Sequence, residues 1–150
     1  MPREIDETDR VILDMLQEDA RKSFREIAES ANVSEATIFV RVRKLLERGI
    51  IKRFTALVSS EQIGKGLTAF VLMDADPKRL QDVYDALSVI DDIYEIYDVT
   101  GSYYAIVKIR TSDREKLKDV IDRIGLIEGI TKTETAVVLR CIKEETKIKL

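Results

Sequence analysis

Six cations fall between Ser34 and Val58: Arg41, Arg43, Lys44, Arg48, Lys52 and Arg53. Only Glu35 and Glu47 oppose them, a local net charge of +4. The whole chain of 150 residues has 25 Lys plus Arg against 28 Asp plus Glu, net −3, so this stretch is basic within an acidic protein. Concentrated guanidinium and ammonium groups are the electrostatic footprint of a polyanion contact; a solvated helix face is the plain alternative. Other chemistry is closed off by missing residues. With no His and a single Cys, Cys141, one chain cannot assemble a Ser-His-Asp or Cys-His arrangement, a His/Cys zinc site or an internal disulfide. No DxDxDG-type loop offers ligands to Ca²⁺ or Mg²⁺. No metal, cofactor or enzymatic activity is expected. Asp91 and Asp92 read as turn and solvation residues rather than acid–base catalysts. Gly64-Lys65-Gly66 lacks phosphate-loop spacing and reads as an interdomain turn. Cys141 reads as a buried or strand-borne thiol in a reducing compartment.

Three short helices must position the basic stretch. The first is expected over 7–18, with Asp6 as N-cap and Val11, Ile12, Met15 and Leu16 as its apolar stripe. The second starts at Ser23, where Ser23 and Glu26 make a capping box, and ends near Ser30. Asn32 suits a tight turn because its short polar side chain tolerates positive φ. Ser34 then caps a third helix running to about Arg48 and stopped by Gly49. Ile38, Val42 and Leu45 share one face of it; Ser34, Glu35, Thr37, Arg41, Lys44 and Arg48 share the other. Helix, turn, then a polar and basic helix is the helix-turn-helix layout, whose second helix enters the major groove by its N-terminal residues. Ser34, Glu35, Thr37 and Arg41 are thereby assigned to the groove, and Lys44, Lys52 and Arg53 to phosphates. Residues 50–59 read as a wing or linking strand.

The second half repeats itself. Shifted by 37 positions, Leu80, Val83, Tyr84 and Leu87 fall on Leu117, Val120, Ile121 and Ile124, and Asp76, Asp82 and Asp85 fall on Asp113, Asp119 and Asp122. Each copy reads strand, helix, strand, with strands over 67–74, 94–100, 103–110 and 131–142 and helices over 78–88 and 114–125. Two such units give βαββαβ, a ferredoxin-like α+β sandwich with both helices on one sheet face. The other face needs a partner, which predicts a sheet-to-sheet homodimer. Gly101 reads as a hairpin residue. Thr133 and Thr135 alternate on the last strand, where they either line a ligand cleft or simply face solvent.

At 45% apolar and 35% charged, with no apolar run near the roughly 18 residues a bilayer helix needs, the chain is expected to be soluble and intracellular.

The chain resembles the Lrp/AsnC, or feast/famine, family of transcription regulators. The resemblance is carried by IDETDRVILDMLQEDAR, SFREIAESANVSEATIFVRVRKLLERGIIKRFTA, EIYDVTGSYYAIVKIRT and IEGITKTETAVVL, and it covers nearly the whole chain. It implies an α+β protein with a winged helix-turn-helix domain at 1–50, a linking strand and hinge at 51–65, and a ferredoxin-like (RAM-type) effector-binding and oligomerisation domain at 66–150. It further implies duplex DNA as partner, a homodimer building an octamer, an amino-acid effector, and a cytoplasmic, nucleoid-associated location in a prokaryote. The effector site it implies comprises Thr100, Gly101, Ser102, Tyr103 and Tyr104, with Thr133 and Thr135. Two positions depart from the family pattern. Phe39 and Val40 stand where polar or basic residues are usual; either one meets a thymine methyl, or Phe39 packs against the first helix or the wing. Tyr104 stands where an acid is usual, and a phenol with pKa near 10 supplies no negative charge at neutral pH. A metabolite-sensing or architectural DNA-binding oligomer with little sequence specificity is the alternative reading.

Overall fold

A computed structural model describes residues 5–150. They divide into two compact units, one holding the residues up to Leu57 together with Lys143–Leu150, the other holding Val58–Ile142.

The first unit contains α1 (Glu7–Glu18), α2 (Phe24–Ala31) and α3 (Glu35–Glu47). Each begins where a side chain satisfies the backbone N–H groups that a first turn leaves unpaired. Asp6 accepts from Asp9 N–H at 2.9 Å, Ser34 Oγ accepts from Thr37 N–H at 3.1 Å, and Ser23 and Glu26 form the complete capping box. Asn32 takes the left-handed conformation, φ 53° and ψ 47°, in the turn between α2 and α3. Ile12, Leu13 and Leu16 of α1, Ile27 and Ala28 of α2, and Ile38, Val42 and Leu45 of α3 close one apolar core. Burial of each such Ile or Leu is worth about 1.5–3 kcal/mol, which offsets the ordering of three helices too short to persist alone.

Beyond α3 the expected wing or linking strand does not form. Among the described residues, 52–59 carry neither strand nor helix. The single chain provides no second strand to receive their backbone hydrogen bonds, and an unpaired strand is not stable.

The second unit builds β1 (Leu67–Ala75), a short 3₁₀ turn (Pro77–Arg79) leading into α4 (Leu80–Ser88), β2 (Ile93–Asp98), β3 (Ala105–Thr111), α5 (Arg114–Gly125) and β4 (Ile130–Val137). The sheet is antiparallel in the order β2-β3-β1-β4, the ferredoxin-like arrangement. Ala69, Val71 and Met73 of β1 and Ala105, Val107 and Ile109 of β3 point to one face, where Val83 and Leu87 of α4 and Leu117, Val120 and Ile124 of α5 cover them. On the opposite face Phe70 lies beside Lys108 and Leu72 beside Ile106, all half-buried.

The last strand is shorter than expected. β4 pairs with β1 from Ile130 to Val137, Val138 N–H reaches Thr68 O at 2.9 Å, and β1 itself starts at Leu67, so no partner remains for residues nearer Ile142. Cys141 is correspondingly exposed and outside any strand, not the buried or strand-borne thiol expected.

Candidate nucleic-acid interface and effector loop

The outward side of α3 carries the residues assigned to DNA. Ser34 and Glu35 are exposed at the positive end of the helix, and Thr37, Val40, Lys44 and Arg48 follow along one cleft of about 570 Å³. The Ser34 hydroxyl both caps the helix and lies 2.8 Å from the Thr37 hydroxyl. Phe39 is 56% exposed and meets Phe24 of α2 edge-on, ring centroids 6.2 Å apart, rather than packing on α1 or a wing. Val40 is 47% exposed and uncovered by any core. Lys52 and Arg53 are exposed just past α3.

Arg41 lines the same cleft, and its guanidinium is held by two carboxylates of the first unit. Its Nη1 donates to Asp6 Oδ2 at 2.7 Å, to Asp6 Oδ1 at 2.9 Å and to Asp9 Oδ1 at 3.0 Å. The guanidinium therefore staples α3 to the start of α1. The two carboxylates hold it firmly charged, Asp6 above all. In return Asp6 is pulled below the usual carboxylate range, first by the Asp9 N–H it accepts and then by Arg41. Sequence spacing cannot reveal this link, because the residues are more than 30 positions apart.

In the second unit the β2–β3 connection forms an open cavity of about 580 Å³ lined by Asp98, Val99, Thr100, Ser102, Tyr103 and Ile106. Gly101 turns the chain there at φ +119°. Asp98, not singled out from the sequence, contributes the carboxylate, and the Tyr84 hydroxyl donates to it at 3.0 Å. Burial, then the hydrogen bond to Asp98, pushes the Tyr84 phenol up to about 12. Tyr103 donates its hydroxyl to Glu134 of β4, and the Lys132 ammonium lies 5.4 Å from the centre of its ring. That carboxylate holds the Tyr103 phenol above its ordinary value. Tyr104 acts through its backbone, donating its N–H to Met73 O and accepting from Val99 N–H, both at 3.0 Å.

Thr133 and Thr135 lie elsewhere. They pair with Met73 and Val71, whose side chains belong to the helix-covered face, whereas Glu134 beside Leu72 belongs to the open one. The alternation of a strand puts neighbours on opposite faces. The residues of β4 that meet the loop are therefore Lys132 and Glu134.

Residues 5–52 match the family model for winged helix-turn-helix DNA-binding domains, and residues 68–148 match the model for the Lrp/AsnC ligand binding domain. The chain belongs to the Lrp/AsnC family. Among curated Lrp/AsnC relatives, the HTH-type transcriptional regulator FL11 of Pyrococcus horikoshii is 38% identical over 146 residues, 97% of each chain. Among solved structures, Escherichia coli AsnC superposes with a TM-score of 0.91 at 33% identity, covering 95% of this chain and 97% of that one. The feast or famine regulatory protein of Mycobacterium tuberculosis, complexed with L-methionine, superposes at 0.89 with 26% identity, covering 97% and 99%. This Lrp/AsnC chain is thus a transcriptional regulator with a helix-turn-helix for DNA and a ferredoxin-like ligand-binding domain. Among the described residues, no helix is long and apolar enough to cross a membrane.

Proposed function

We propose that this Lrp/AsnC protein reads a specific duplex DNA sequence through α3, as an oligomer acting on the nucleoid in the cytoplasm, and that a small amino-acid-like metabolite adjusts its binding. One observation supports the reading above others: the capped N-terminal end of α3 presents Ser34, Glu35, Thr37 and Val40 outward on a helix whose tilt against α1 is fixed by Arg41. Ser34, Glu35 and Thr37 offer hydroxyl and carboxylate partners to base edges, and Val40 or Phe39 an apolar contact for a thymine methyl. Lys44, Arg48, Lys52 and Arg53 hold phosphates, which fixes register without reading sequence.

Two protein units per DNA site follow from the uncovered sheet face, where Phe70, Leu72 and Ile106 invite a second copy. A dimer would present two α3 helices to a two-fold site, and dimers assemble further into an octamer in this reading. For the effector, the relative that carries L-methionine supplies the class. Asp98 provides the negative charge for an ammonium group, in place of the acid absent at Tyr104, while Thr100 and Ser102 provide hydroxyls and Gly101 a close approach. Thr133 and Thr135 fall outside this pocket.

The test is a pull-down of sheared genomic DNA by purified protein at two salt concentrations, repeated with L-methionine and the other amino acids. Enrichment of a short two-fold site that survives the higher salt supports the reading. Uniform recovery that vanishes with salt supports instead the architectural alternative, in which Phe39 and Val40 make no base contact. Sedimentation of the same sample reports the assembly size.

A further inference from the structure

The outer side of α1 is occupied by the chain's own C-terminus. Gln17 makes a two-pronged contact with the main chain of Ile148: its Nε2 donates to Ile148 O at 3.0 Å, and its Oε1 accepts from Ile148 N–H at 2.7 Å. One residue earlier, Lys147 Nζ lies 2.7 Å from Asp14 and 3.3 Å from Glu18, one helical turn apart. Two residues later, Leu150 lies over a cleft bordered by Val11 and Met15. Asp14, Gln17 and Glu18 fall on one side of α1, away from the core positions Ile12, Leu13 and Leu16. A side-chain amide satisfying both backbone groups of one residue acts as a short piece of strand pairing, and it fixes the register of everything around it.

This contact has a topological consequence. Lys143–Leu150 belongs to the helix-turn-helix unit, while β4 of the other unit ends at Val137, six residues upstream of Lys143. The chain thus crosses between the two units twice, once after Leu57 and once after Ile142. The second crossing is the direct continuation of the strand that carries Glu134, the partner of the effector-loop residue Tyr103.

We propose that the outer side of α1 is a docking site for the chain's own basic-apolar C-terminal segment, and that this contact is a releasable clasp linking β4 to the DNA-reading unit. The site selects a cation, a free backbone edge and an apolar side chain in the order Lys147, Ile148, Leu150. Exposed ion pairs and two amide hydrogen bonds make a weak clasp, one that opens readily. The regulatory consequence rests on the proposed function; the docking itself does not.

Amide exchange followed by NMR on the full-length protein, without DNA or effector, tests it. Ile148 N–H should exchange about ten-fold more slowly than an unstructured amide, since it exchanges only when the clasp opens. Gln17→Ala and Lys147→Glu should abolish that protection, Lys147→Arg should keep most of it, and 1 M NaCl should reduce it while leaving Ile12 and Leu16 amides unchanged. Unprotected Ile148 in the wild type, or protection that survives Gln17→Ala, would overturn the proposal. So would isotope-filtered contacts showing that the segment on α1 comes from a second copy. Because no DNA is present, a failed operator search leaves this result standing, and the reverse is equally true.

Discussion

Arg41 Nη1 lies 3.0 Å from Asp9 Oδ1, and the Asp9 side chain is only 9% exposed. The contact joins the middle of the DNA-facing helix to the first turn of α1. Removing the cation would strand a nearly buried carboxylate, which costs more than the net worth of the pair itself. Arg41→Ala is therefore expected to destabilise the helix-turn-helix unit by about 2 kcal/mol, discounted for the 30% exposure of the Arg41 side chain. Urea unfolding should show a lower midpoint at unchanged slope, the signature of lost stability without a change in exposed area.

Acid should weaken the same unit. Asp6 is lowered by the Asp9 N–H and then Arg41, Glu18 by Lys22 and then Lys147, and Glu26 by the Ser23 hydroxyl and backbone N–H. A carboxylate with a folded pKa below its unfolded value binds fewer protons when folded, so its stabilisation is complete above the unfolded value and fades as pH falls through the folded one. The ordinary values are 3.8 for Asp6 and 4.5 for the two glutamates, which puts the onset of loss just below pH 4.5. At the other end, Tyr84 is raised from 10.0 to about 12, so its contribution is complete below pH 10 and lost between those values. With no His anywhere in the chain, no histidine step divides the interval. A thermal-denaturation series should give a flat Tm from pH 6 to 8, a fall below pH 4.5, and a shallower acid fall for Asp6→Asn.

What the residues disclosed and what they hid follow from range. Caps act over three or four residues, so Asp6, Ser23 and Ser34 announced the starts of α1, α2 and α3 correctly. The 37-residue repeat compared one segment with another and so recovered the order of the second unit. Long-range pairing was hidden. Nothing local to Arg41 indicates that its guanidinium turns back to Asp6, and nothing local to Gln17 indicates Ile148. Alternation is legible along β4, but its phase relative to the loop is not: Thr133 and Thr135, which read equally as cleft or solvent-facing residues, share the helix-covered face, and Lys132 and Glu134 reach Tyr103. The end of β4 depended on where β1 begins, some 70 residues earlier, so that boundary was overrun by five residues.

Gly129 illustrates a constraint that no spacing rule exposes. Its φ is +106°, and a Cβ there would come within 3.0 Å of Arg79 Cβ and 3.1 Å of Val83 Cγ2. Its carbonyl also accepts Asp76 N–H at 2.8 Å, tying the start of β4 to the turn before α4. Backbone strain and crowding both oppose a side chain, and neither neighbour is the loose end of a long chain. Gly129→Ala should destabilise the second unit by about 2 kcal/mol or more. Gly64→Ala is a control in open space, with the φ cost alone. Chemical denaturation of the two variants separates crowding from backbone strain.

The salt dependence of DNA binding separates the cations by what they already hold. Lys44, Lys52 and Arg53 are exposed, and each phosphate such a residue neutralises releases condensed counterions. Replacing any one with Ala should lower the magnitude of the log–log salt slope by about 1 per protomer and weaken all sequences alike. Arg41 should behave differently. With Asp6 and Asp9 on its guanidinium the cluster carries two negative charges against one positive, so it has no net cation to offer a phosphate. Arg41→Gln, assayed well below its melting temperature, should leave the slope near the wild-type value while reducing affinity through a misplaced α3. Thr37→Ala and Val40→Ala should instead flatten the preference among base sequences at constant slope, since base-edge contacts release no counterions. A slope that drops by a full unit in Arg41→Gln would mean that the guanidinium leaves Asp9 for the DNA backbone on binding, and would reassign it from a positioning residue to a phosphate contact.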